Sequence, residues 1–227
     1  MRIALPLAVA VAVAVAVAGA LFAAPACADP VQPWPTVSVS ASLGGKWRGA
    51  VEIVGRISDD PTRPSQVESR FQLGHTLGEH VTLWAGYVHV VSYNDGRRDG
   101  IEDQAVEQLS WNPGRVGPFE LGTRTRIEQR FIVGNDRTAW RLRTQIRAAL
   151  PIGRGPVSAV LWAEPFVALN RTAATRETFE QLRAFAGVSL HISKHAEIEV
   201  GYLNQRLYRL SGNVVNHAIP LVLSMRF

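Results

Sequence analysis

Residues 123–131 read TRTRIEQRF, which sets Arg124, Arg126, Glu128 and Arg130 at every second position, with Thr123, Thr125, Ile127, Gln129 and Phe131 between them. The stretch WRLRTQIRAALPIG repeats the device with Arg141, Arg143, Gln145 and Arg147, and Glu164 follows in a later alternating segment. Rows of guanidinium and carboxylate can do two kinds of chemistry. They can brace one another as ion pairs, or an excess of guanidinium can draw anionic solutes into a constriction. A helix scatters charges spaced by two around its whole circumference, whereas a strand puts them all on one face. The rows therefore belong to strands with a wet side and a dry side.

Other reactive side chains are sparser. His89 and Ser92 in HVVS fall on opposite phases of one strand and cannot form a local dyad. His75 and His89 share the apolar phase, the placement used by outer-membrane acyl hydrolases with a His–Ser pair on the barrel exterior, and no Ser of matching phase and depth stands out beside them. HISKH at 191–195 reads as a turn with titratable ends, without the further ligands a metal site needs. There is no phosphate loop, zinc-protease pattern or nucleophile elbow. No catalytic, metal or cofactor residues are assigned on these grounds, and a non-enzymatic protein is expected.

The elements that must hold the charged rows begin after a leader. Residues 1–28 carry one positive charge at Arg2, a long Ala/Val run and a small-residue site at Ala26-Cys27-Ala28. This is the pattern of a cleaved signal peptide, which leaves 29–227 as a single domain. Ala24-Pro25-Ala26 does not resemble the Leu-led lead-in of a lipoprotein. Cys27 is the one cysteine and would leave with the leader, so neither disulfides nor thiolate chemistry is expected. The net charge of +5 includes Arg2. Its basic residues are interleaved through alternating segments rather than gathered in a run, and an exported chain has no nucleic acid to meet, so nucleic-acid binding is set aside.

Beyond the leader, alternating segments occur near 36–43, 47–58, 66–77, 81–93, 101–111, 118–131, 138–150, 157–169, 178–192, 196–208 and 215–227. The connections LGGKW, TLGEH, NPGRVGP, PIGRGP and ISKHAE are tight, while DDPTRPS, NDGRRDG, VGNDRT, RTAATRET and YRLSGNV are more polar and generally longer. That asymmetry predicts an all-β fold, a transmembrane antiparallel up-and-down β-barrel of about 10–12 strands in the bacterial outer membrane. One phase is an apolar coat; the other carries the Arg and Glu residues. Aromatics of the apolar phase gather at strand ends, with Trp47, Trp111, Phe119 and Phe227 toward the tight turns and Tyr93, Phe131, Trp140 and Tyr208 toward the longer loops. Two such girdles suit two bilayer interfaces. An Arg at the lipid midplane costs about 2–4 kcal/mol, so the face from Arg124 to Arg130 must turn inward.

The loop VGNDRT makes 118–131 and 138–150 a hairpin. With Arg130 near Ala139, Glu128 falls opposite Arg141, Arg126 opposite Arg143 and Arg124 opposite Gln145. Arg126 and Arg143 then call for carboxylates, with Glu128, Glu164, Glu52, Glu197 and Glu199 available. A network of Arg, Glu and Arg–Glu pairs across a narrow lumen, or an Arg-lined constriction for small anionic solutes, both fit.

The phrases GYVHVVSYN, EQLSW, TRTRIEQRF, WRLRTQIRAALPIG, EPFVALN, GYLNQR and NHAIPLVLSMRF, in that order, resemble the bacterial family called domain of unknown function 2490, expected outer-membrane barrels without an assigned role. The resemblance implies location and architecture and supplies no catalytic residues. The C-terminal Phe227, preceded alternately by Met225, Leu223 and Leu221, is similar to the signal read by the barrel assembly machinery. Pro165 and Pro220 each remove a ladder hydrogen bond, so a bulge or local break is expected at both. Eleven segments sit badly with the even count and periplasmic termini normal for such barrels. The stretch after Trp34 is expected to split or fold inward, or a short strand to complete the count. The function expected is a narrow Arg/Glu-lined pore or structural envelope component, surrounded by outer-membrane lipid and lipopolysaccharide. The alternatives are an enzyme acting on lipid or lipopolysaccharide, and a binding module using external loops such as NDGRRDG.

Overall fold

The computed structural model describes residues 31–57, 63–173, 175, 178–209 and 212–227; the expected signal peptide, with Cys27, lies outside them. Eleven strands follow one another with no helix among the described residues: β1 (Val31–Gly44), β2 (Trp47–Ile57), β3 (Pro64–Thr76), β4 (Val81–Asn94), β5 (Arg97–Val116), β6 (Phe119–Ile132), β7 (Ala139–Pro151), β8 (Val157–Ala168), β9 (Thr178–His191), β10 (Ala196–Leu207) and β11 (Val214–Arg226). Each pairs with its chain neighbours, and β1 closes the barrel against β11.

The up-and-down barrel is as expected, with one exception to its antiparallel pairing at closure. β1 and β11 run parallel, from Val31 opposite His217 to Ser40 opposite Arg226. An odd number of up-and-down strands has no other way to close, and neither a split nor an extra strand is needed. Val31, the first described residue, consequently lies at the loop end and Phe227 at the tight-turn end. The chain end is tied in: the Phe227 amide donates to the Ser40 carbonyl at 2.9 Å.

Turn chemistry accounts for one correction. NDGRRDG is not a long loop. Asp95 and Gly96 have φ of 50° and 74°, the left-handed pair that a two-residue hairpin requires, so β4 and β5 meet directly. At the opposite end β5 continues past Trp111 through a register shift to Val116, taking in most of NPGRVGP. The breaks expected at the prolines are present: two pairs are missing in one ladder beside each, and next to Pro165 the β8–β9 register also shifts between Phe166 and Val167. On β10 and β11 pairing skips from Val200–Leu221 to Leu203–Ala218, and on β7 and β8 from Arg143–Phe166 to Ile146–Ala163.

The outward phase is the apolar coat, with Val51, Phe71, Leu73, Leu83, Ile146, Val188 and Leu221 all exposed. The inward phase is less uniformly polar than its charges suggest. Trp34, Val160, Phe185, Leu203 and Ala218 form one buried cluster inside the barrel, and Val88, Val90 and Val106 another. Glycines make room for it: a Cβ at Gly187 or Gly201 would stand 2.5 or 2.7 Å from the Phe185 ring, which lies over that cross-strand pair and stacks on Trp162. At these clusters the interior is filled much as a soluble protein's core is.

Candidate functional site

The β6–β7 hairpin sets the register of the charged site. Arg130 pairs with Ala139, Glu128 with Arg141, Arg126 with Arg143 and Arg124 with Gln145, as the alternation predicts. Two arginines face each other at the centre, and the acids that separate them come from both sides. Arg143 makes a two-pronged contact with Glu164 of β8, Nε to Oε1 at 2.9 Å and Nη2 to Oε2 at 2.8 Å, and its Nη1 donates to Glu128 at 3.1 Å. Glu128 also accepts from Arg141 Nε at 2.6 Å. Arg126 donates from Nε and Nη2 to Gln108 Oε1 at 3.0 and 2.6 Å, with Glu128 3.8 Å away. Arg124 reaches Glu164 at 3.5 Å.

The network thins toward both ends. At the loop end Glu102 takes Arg130 in a two-pronged contact at 2.6 and 2.8 Å. Toward the tight turns Arg147 holds Glu199 at 2.8 Å, with Glu197 at 3.7 Å. Of the acids available from the sequence, Glu52 goes elsewhere, joining Glu68 in bracketing Arg70 on the far wall.

Aromatic rings complete the closure, a part the alternation alone does not reveal. Arg183 of β9 lies between two rings, 5.4 Å from the Trp34 centroid and 4.8 Å from that of Phe166. Arg56 covers the other face of the layer at 4.4 Å from Trp34, and Arg143 covers Phe166 at 4.3 Å. The sequence Arg56, Trp34, Arg183, Phe166, Arg143 therefore crosses the barrel from β2 to β7 as alternating cations and π faces. Arg126, Glu128 and Glu164 retain only 1 % of their surface, Phe166 also 1 % and Trp34 5 %. A water-filled passage at this depth would leave them accessible. Composition offered one clue: Trp34 lies between Pro33 and Pro35, and Phe166 follows Pro165.

Below this layer the lumen opens. A cavity of about 260 Å³ runs past seven arginines and five glutamates, among them Arg124, Arg143, Arg147, Glu197 and Glu199. Arg147 and Arg226 also line a wider cavity of about 650 Å³ beside His80, Asn112 and Glu120 at the tight-turn end.

The aromatics expected at the rims project outward. Trp47, Trp111, Phe119 and Phe227 are exposed at the tight-turn end, Phe131, Trp140 and Tyr208 are exposed at the loop end, and Tyr93 is half-buried there. His195 stacks on Phe227 at the rim, whereas His191 turns to Glu197 at 3.8 Å, and no group of metal ligands is found among the described residues. One expectation fails. His75 meets only Trp47 and Leu83 across its strands, but His89 does have a serine of matching phase and depth, because Ser69 is its direct cross-strand partner.

Comparison with known proteins agrees with this architecture. The profile of a family described as proteins of unknown function, DUF2490, matches residues 31–216. The chain belongs to that family. An uncharacterised protein of Methylorubrum extorquens is 35 % identical over 211 residues, covering 89 % of this chain and 91 % of the relative. Among solved structures the chain is similar to the NanC porin in a rhombohedral crystal form, with a TM-score of 0.54, 13 % identity, and coverage of 87 % of this chain and 98 % of that one. The likeness is one of fold, a porin-like closed barrel.

Proposed function

We propose that this family member is an outer-membrane barrel whose lumen is held shut toward its loop end and forms an electropositive vestibule toward its tight-turn end. The observation that carries the reading is the burial of Arg126, Glu128 and Glu164 in the same layer as the Trp34–Arg183–Phe166 stack. The apolar outer phase and two aromatic rims suit lipid and lipopolysaccharide around the barrel, and longer external loops would put the vestibule on the periplasmic side. Phe227 at the end of β11 is the residue we assign to the barrel assembly machinery. Seven arginines against five glutamates give the vestibule an attraction for small anionic solutes without a path through.

Halide efflux from liposomes carrying the refolded chain tests this. Efflux is expected at the rate of protein-free liposomes. Sustained efflux proportional to the inserted protein overturns the closed lumen and restores an open pore.

A further inference from the structure

The outer surface of β3, β4 and β5 carries polar chemistry that the lumen does not use. Ser69, His89 and Asp103 are consecutive cross-strand partners, Ser69 opposite His89 and His89 opposite Asp103. Directly opposed residues have Cβ atoms about 4.5–5.5 Å apart on one face, so the hydroxyl, imidazole and carboxylate stand in a row on the lipid side. His89 Nδ1 lies 2.7 Å from Asp103 Oδ1, and the Tyr87 hydroxyl donates to the same oxygen at 2.5 Å. An ionised carboxylate only accepts, so Nδ1 carries the proton and Nε2 is the nitrogen that faces away, available as a base. That is the tautomer of a general base held by an orienting acid. His89 and Asp103 are 41 % and 42 % exposed, open to whatever lies against the barrel wall. Ser69 is half-buried on the opposite side of His89 from Asp103. No hydrogen bond yet joins its hydroxyl to the ring, which is common before a substrate aligns such a pair.

Two further observations point to a lipid. The row lies toward the loop end, and the next partner of Asp103 is Phe131, an exposed rim aromatic. Rim aromatics mark headgroup depth, and the acyl esters of a membrane lipid lie just beneath it. Beside the row, the outer wall is hollowed into a groove lined by Leu43, Gly49, Val51, Phe71, Leu73 and Tyr87. It starts at Tyr87, the residue bonded to Asp103, and runs across the strands toward Leu43 at the tight-turn end of β1, the direction an acyl chain takes into the bilayer. Another outward polar group shows the contrast: Tyr202, Asn204, Arg206 and His217 are hydrogen-bonded on β10 and β11, with neither a serine nor a carboxylate among them.

We infer that Ser69, His89 and Asp103 are the nucleophile, general base and orienting acid of an acyl-ester hydrolase on the lipid face of the barrel, an assignment that rests on the membrane-spanning reading above. Ser69 Oγ would bond to the ester carbonyl carbon while His89 Nε2 takes its proton. The ester C–O bond then breaks, the proton passes to the departing alcohol oxygen, and the acyl group stays on Ser69. Water repeats the attack with His89 again as base, releasing the fatty acid and restoring the hydroxyl. The shared chemistry is an acyl ester, which either a glycerophospholipid or a lipopolysaccharide supplies.

The mature chain is refolded into phosphatidylglycerol/phosphatidylethanolamine vesicles and, separately, into vesicles containing lipopolysaccharide. Insertion is verified by heat-modifiable migration and protease protection. Fatty acid release is followed by mass spectrometry, and Ser69 is probed with a fluorophosphonate. Release or a Ser69 adduct in wild type, falling at least ~10³-fold in Ser69→Ala and His89→Ala, supports the assignment; the vesicle type that yields fatty acid names the substrate. Equal release from wild type and Ser69→Ala, or an inserted barrel with neither release nor adduct, overturns it. Failure to insert at all would overturn the membrane reading instead.

Discussion

The lumen of β6–β8 carries ionisable side chains at period two along each strand, whereas the outer wall of β3–β5 is largely apolar and carries one row that runs across the strands, and the two differ in how those side chains are partnered. Inside, Glu128 and Glu164 each serve more than one arginine, and almost nothing of them is accessible. Outside, Asp103 is shared by one imidazole and one phenol, and both His89 and Asp103 remain open to the surroundings. A buried charge is kept because its partners leave it no alternative. A charge on a lipid-facing wall has a cheaper alternative, an apolar residue, so its presence asks for a use. The first pattern is that of a brace and the second that of a reagent.

Substitutions can break this contrast. Glu128→Ala leaves Arg141, Arg143 and Arg126 without their common acid in a buried layer; breaking such a set costs about 3–5 kcal/mol. It should lower the urea midpoint of the refolded barrel more than any other single substitution described. Phe166→Ala removes the ring between Arg183 and Arg143 and leaves a void, a loss of about 3 kcal/mol at the low end for a buried Phe. The same urea titration checks it. Glu102→Gln at the loop-end rim takes a partner only from Arg130, whose surroundings are wetter. About 1 kcal/mol is expected there. Ser69→Ala on the outer wall should leave the midpoint within ~0.5 kcal/mol of wild type. A large shift there would make the outer row structural and erase the distinction.

Much of this arrangement could be read from the chain. Period-two alternation located every strand, because a side chain facing lipid and one facing charge cannot exchange places. The β6–β7 register followed from pairing Arg130 with Ala139, since one hairpin loop joins them directly. The parallel closure was not legible, because nothing local in Val31–Gly44 states which way its last neighbour runs. The Trp34–Arg183–Phe166 stack was hidden for a related reason: it joins β1, β8 and β9 across the lumen, and alternation gives a face without giving who meets whom on it. The Ser69–His89–Asp103 row needed two registers at once. One depended on the turn at 77–80 and the other on the two-residue hairpin at Asp95-Gly96, which the polar run NDGRRDG disguised as a loop. Asp103 also sits beside Glu102, so the acid of the outer row is easily counted with the lumen charges.

The closed lumen is the claim on which the division between brace and reagent stands, and single-channel recording in a planar bilayer addresses it most directly. Wild type is predicted to be silent, while Trp34→Ala/Phe166→Ala, which removes both rings that flank Arg183, is predicted to open discrete conductance steps. Steady steps in wild type, unchanged in the double variant, would contradict the account.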